Sequence, residues 1–118
     1  MKLTEAKTQW ILTRVKQYCD ILNITMPEII LTRKDYEQRK KERRQYESEH
    51  VGRTWHKFYG VAHRKENMIA LNVKLSPNLE RLDQTIRHEI LHLYLTYNHH
   101  SERFAKWMNE LKQRRTQK

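Results

Sequence analysis

Apolar and polar positions alternate along the chain with two distinct periods, and these divide it into elements. Over residues 4–22, Trp10, Ile11, Val15, Tyr18 and Leu22 recur at helical spacing. Thr4 suits the start of that helix and Asn23 its end, so an amphipathic helix is predicted there. "PEIILT" (27–32) is a short β-branched run behind a proline and predicts a strand. "RKDYEQRKKERRQYESEH" (33–50) has almost no apolar content. It reads as a solvated helix or loop, with Asp35–Arg39 and Glu37–Lys41 spaced to pair on a helix face. "HKFYGVAH" and "MIALNVKL" predict two strands joined by a turn at "RKEN". In the second, Ile69, Leu71, Val73 and Leu75 alternate with Met68, Ala70, Asn72 and Lys74, which predicts one core-facing side.

Ser76-Pro77-Asn78 ends that strand and opens a helix over residues 79–97. On a helical wheel Leu82, Ile86, Ile90, Leu93 and Tyr97 form one stripe, while Leu91 and Leu95 occupy the opposite side. Such a helix is covered on most sides. Its remaining strip holds Thr85, His88, Glu89, His92 and Thr96. Asn98 is the expected stop, after which Phe104, Trp107 and Met108 can pack a second helix beside the first. The expected architecture is a single α+β domain spanning residues 1–118. An N-terminal helix, a short and mostly antiparallel sheet of about three strands, a central histidine-bearing helix and a C-terminal helix compose it.

Composition narrows the function classes. With 2 glycines and 2 prolines a turn-rich β-sandwich is disfavoured, and a lone cysteine, Cys19, excludes both an internal disulfide and a Cys-based zinc ribbon. No apolar run approaches membrane-spanning length and no signal-type core is present, so an intracellular, cytoplasmic setting without membrane contact is expected. The net charge of +10 points to an anionic partner, nucleic acid first. Lys40, Arg43 and Arg44 are the candidate phosphate contacts, with Tyr36 and Tyr46 placed among the cations for stacking.

The polar strip of the central helix changes the picture most. His88 and His92, four apart, project from one face one turn from each other, which suits two corners of a zinc tetrahedron at Zn–N distances of about 2.0–2.1 Å. Glu89 falls one position further round. There its carboxylate is placed to take a proton from a zinc-bound water, whose pKa drops to roughly 7. "HEILH" is therefore an H-E-x-x-H motif, and a shuffled chain of this composition would contain one only about 0.04 times. A catalytic zinc needs a third protein ligand and one open position. His100 is the first candidate, with His99 and Glu102 as alternatives, and each requires the chain to turn back after the helix.

"MIALNVKL", "HEILH" and "NHHSERFAKWM" together resemble the SprT-like zinc metallopeptidases. In that family an edge strand of the form I-x-L-N-x-x-L precedes the zinc helix, and a later His, followed four residues on by Phe or Trp, completes the site. Ile69, Leu71, Asn72 and Leu75 match the strand, His88, Glu89 and His92 the helix, and His100 with Phe104 the last part. Ser101 stands where many members carry glycine. The resemblance implies a small zincin-like fold with one Zn²⁺ per chain, held by His88, His92 and His100, and Glu89 as general base.

The expected function is that of a zinc-dependent metalloendopeptidase, read as a monomer. Its substrates would be proteins or peptides bound along the strand 68–75 by β-augmentation, and the charge extends that reading to nucleic-acid-associated proteins. Tyr97, His99, His63 and Tyr59 are the candidates for stabilising the oxyanion. The competing reading is a basic nucleic-acid-binding module with a structural zinc and no peptidase activity. A metal-free helical interaction protein is the third.

Overall fold

Thr4 opens helix α1 (Glu5–Leu22) as its position predicts, its hydroxyl accepting from the Lys7 N–H, and Asn23 closes the helix in the left-handed conformation. These features belong to a computed structural model that describes residues 1–44, 55–95 and 102–115, the side chains of residues 43 and 44 excepted. Strand β1 (Glu28–Ile30) follows, then helix α2 (Arg33–Arg44) and a 3₁₀ turn, Trp55–Lys57. Strand β2 (Gly60–His63), strand β3 (Met68–Leu71), a second 3₁₀ turn (Val73–Leu75), helix α3 (Leu79–Tyr94) and helix α4 (Glu102–Arg114) complete the order. The fold is α+β, as expected.

The sheet runs β1-β3-β2, with β3 parallel to β1 and antiparallel to β2. One of its two pairings is thus parallel, because α2 carries the chain across between β1 and β2. All four residues of β3 are buried, not one face alone. Ile69 and Leu71 face a core shared with Ile11, Val15, Leu82, Ile86 and Ile90, while Met68 and Ala70 face a second core. Tyr36 of α2, fully buried, anchors that second core with its ring 5.6 Å from Trp55 and 5.3 Å from Phe58. The charge-dense segment therefore includes a covering helix, and Tyr36 packs the interior instead of offering a stacking surface. The predicted i,i+4 pairs do not form either. Arg39 pairs with Glu28 and Glu42, and Lys40 lies 3.9 Å from Glu37.

The alternation in "MIALNVKL" stops being a strand at Asn72. Its buried side chain donates to the Trp55 carbonyl at 2.9 Å and its Oδ1 accepts from the Leu75 N–H, which turns the chain into the 3₁₀ segment. Leu75 is consequently exposed instead of facing the core.

Three helices meet at Asp83. The Tyr18 hydroxyl donates to its Oδ1 at 2.5 Å, Arg87 Nε to Oδ2 at 3.0 Å, and Arg115 also bonds Oδ2. Burial, and then the Asp83 bond, push the Tyr18 hydroxyl up to about 12, and burial raises the neighbouring Cys19 thiol to about 11. Among the described residues no helix is long and apolar enough to cross a membrane.

Candidate functional site

Helix α3 starts at Asn78, whose side chain accepts from the Arg81 N–H at 2.8 Å, and buries Leu82, Ile86, Ile90 and Leu91. That burial fixes the rotation of the helix and turns the strip Arg81–Thr85–His88–Glu89–His92 toward β2 and α4. His88 and His92 meet there with Nε2 atoms 2.9 Å apart and ring centroids 4.5 Å apart. Two imidazole lone pairs facing each other at that distance need something positive between them, a shared proton or a metal ion. Two neutral imidazoles converging on one point are a suitable donor set for zinc, so the residues present fit the ion that the motif implies.

Phe104 braces the pair. This buried ring of α4 lies 5.0 Å from the His88 centroid and 5.2 Å from that of His92. The expected turn-back of the chain is therefore real, since α4 returns beside α3. The turn begins earlier than Asn98, however. Helix α3 ends at Tyr94 with Leu95 extended at φ −91° and ψ 115°. Arg64, at the β2–β3 turn, donates to the His92 and Leu95 carbonyls, each at 3.0 Å, and so takes up acceptors that the ending helix leaves open. Nothing in the sequence pattern marks Arg64 for this role.

Glu89 is 6% exposed and lies on a cleft of about 300 Å³ bounded by β2 and α3. The closest approach is at Gly60, where a Cβ would fall 2.6 Å from Thr85 Cγ2 and 3.1 Å from Glu89 Cγ. Only a residue without a side chain lets the strand run this near the carboxylate. Gly60→Ala is expected to cost roughly 1–3 kcal/mol by overpacking. Thermal melts on this variant would check it; an unchanged melting temperature would mean that Thr85 simply yields.

Beyond Glu89 the cleft continues past Thr85 and Gln84 to Arg81, Tyr59 and Lys57. The Arg81 guanidinium stands 4.7 Å from the centre of the exposed Tyr59 ring. Of the oxyanion candidates, Tyr59 is thus on the cleft. Alternation along β2 sends His63 to the opposite side, where its Nε2 is 3.4 Å from the Tyr36 hydroxyl. Tyr97, His99 and His100 lie outside the described residues. Glu102 is exposed in the first turn of α4, and among the described residues no third His, Cys, Asp or Glu joins a metal-holding group with the histidine pair.

Two further expectations change. Strand β3 is the central strand, hydrogen-bonded on both sides, so its backbone is closed to an added peptide. Among the described residues the open edge beside the cleft belongs to β2. Of the proposed phosphate contacts, Lys40 keeps only 13% of its side chain exposed and stands beside Glu37, while the side chains of Arg43 and Arg44 lie outside the described set.

The family model described as SprT-like matches residues 29–118, from β1 through the histidine helix to the C-terminal end. No curated protein and no solved structure matches the chain.

Proposed function

The chain belongs to the SprT-like family, and from that premise we propose that it is a zinc-dependent endopeptidase acting on extended protein segments. The observation that carries this reading is the convergence of the His88 and His92 Nε2 atoms beside buried Glu89, at the end of an open cleft. His88, His92 and His100 would hold one Zn²⁺, with His99 the alternative third ligand. Bound there, zinc would supply Lewis-acid polarisation of the scissile carbonyl and of water.

The chain's own residues do the rest. Glu89 accepts a proton from the attacking water and later returns it to the leaving amine. Burial against β2 keeps its carboxylate in one place, which shortens the search for a reactive geometry. Phe104 fixes both imidazole planes, and Arg64 fixes the chain as it leaves His92. A substrate strand pairing with the open edge of β2 would lie along the cleft past Glu89.

The test is metal content and proteolysis on protein purified without a histidine tag. About one zinc per chain is expected, with chelator-sensitive cleavage of an unfolded protein. His100→Ala should weaken zinc binding by at least the 10–100-fold seen for losses outside the ligand set itself. Full occupancy in His100→Ala with loss in His99→Ala would move the third ligand by one residue. Absence of stoichiometric zinc in the parent protein would remove the peptidase reading.

A further inference from the structure

Some of the cations in the described part of the molecule are paired with carboxylates, and others are not. Arg14, Arg87 and Arg115 surround Asp83, Arg39 is shared by Glu28 and Glu42, Lys40 stands by Glu37, and Arg114 pairs with Glu110. Among those without a carboxylate partner, Lys57 and Arg81 are set apart by their position. Both line the cleft that holds Glu89, both are exposed, and among the described residues neither forms an ion pair. Arg81 has an aromatic neighbour instead, since its guanidinium carbon lies over the Tyr59 ring, 4.7 Å from the centroid. A cation–π contact uses no N–H donor in a hydrogen bond to an acceptor, so the guanidinium fork can still receive a planar carboxylate in a two-point bond.

Position matters as much as charge. Arg81 precedes His88 by seven residues on the same helix, roughly 10 Å along the axis. An extended peptide covers that distance in about three residues. A substrate paired with the β2 edge would therefore present one side chain to Lys57 and Arg81 while its peptide bond sat at Glu89.

We infer that Lys57 and Arg81 form a specificity subsite for a substrate carboxylate two to four residues from the scissile bond. The inference rests on the peptidase reading, to which it adds the substrate class: acidic, extended peptide segments. The carboxylate has two sources, an Asp or Glu side chain or the C-terminus of the substrate chain, and both meet the same two cations.

A set of quenched fluorescent peptides tests this with the full-length protein loaded with zinc. Glutamate, glutamine or lysine is placed in turn at each position from four before to four after the cleaved bond, with free and amidated C-termini. At one position on one side, glutamate is expected to raise kcat/KM about tenfold over lysine, mainly through KM, as a partly exposed charge pair allows. Arg81→Glu should invert the ratio at that position, and Lys57→Glu should reduce it. Preference that survives in amidated peptides assigns a side chain; preference lost on amidation assigns the terminus. Equal cleavage of all three peptides, or a ratio unchanged in Arg81→Glu, overturns the subsite while leaving the peptidase reading in place. Should the parent protein cleave nothing, fluorescence anisotropy of a labelled glutamate peptide decides. Binding that Arg81→Glu abolishes upholds the subsite although the peptidase reading falls, and binding insensitive to Arg81 ends both. Displacement of that peptide by an oligonucleotide at lower concentration than by unlabelled peptide would reassign the two cations to phosphate.

Discussion

Glu89→Gln is expected to retain zinc and fold and to lose peptide cleavage. Glutamine has nearly the same shape as glutamate, so the close approach of its side chain to Gly60 survives. The amide lacks the basicity to take a proton from water, and a positioned general base contributes about 10²–10⁴ in rate. The loss should fall on kcat, with KM little changed, because the substrate's contacts along β2 and the cleft remain. Zinc content, circular dichroism and single-turnover cleavage of one peptide check the three parts separately. A kcat within tenfold of the parent, at full zinc occupancy, would take the general-base role away from Glu89.

The placement of Glu89 beside the histidine pair was readable from the sequence because "HEILH" sits on a helix with a clear apolar stripe, and burial of Leu82, Ile86 and Ile90 then decides where the histidines point. The spacing of four brings the rings together whatever the rest of the chain does. Tyr36 was not readable in the same way. It is the one apolar side chain in Arg33–Arg44, so no period reveals which face α2 buries. Its concealment hid the second core, and with it the fact that β3 has two covered faces and sits in the middle of the sheet. Alternation in "MIALNVKL" describes the backbone pleat; it does not say how many layers lie above it. Lys57 and Arg81 were equally silent, since 24 residues apart in sequence they share a cleft only after β2 packs on α3.

Asp83 was hidden for a different reason: a charged residue beside an apolar stripe reads as the solvated edge of a helix. It is instead 3% exposed, with Arg87 and Arg115 bonded to it and Arg14 at 3.6 Å. Asp83→Ala is expected to destabilise the protein by about 3–5 kcal/mol, because it leaves Arg87 buried, and Arg115 half-buried, without their counter-charge. That is a large part of the 5–15 kcal/mol by which a typical domain is stable. Tyr18→Phe, which removes one hydrogen bond and no charge, should cost only about 1 kcal/mol. Replacing Asp83 and Arg87 together by leucine and methionine should recover part of the loss, since the desolvation of both charges is then avoided. The network joins α1, α3 and α4, and Arg87 also donates to the Met108 carbonyl of α4 at 2.7 Å. Loosening it should shift Phe104 against the histidine pair, so zinc affinity is expected to fall in Asp83→Ala even at temperatures where the chain stays folded. Urea titrations of the single and double variants, run beside zinc titrations below the melting transition, read both effects. A loss under 1 kcal/mol with unchanged zinc affinity would reduce the Asp83 network to a surface feature.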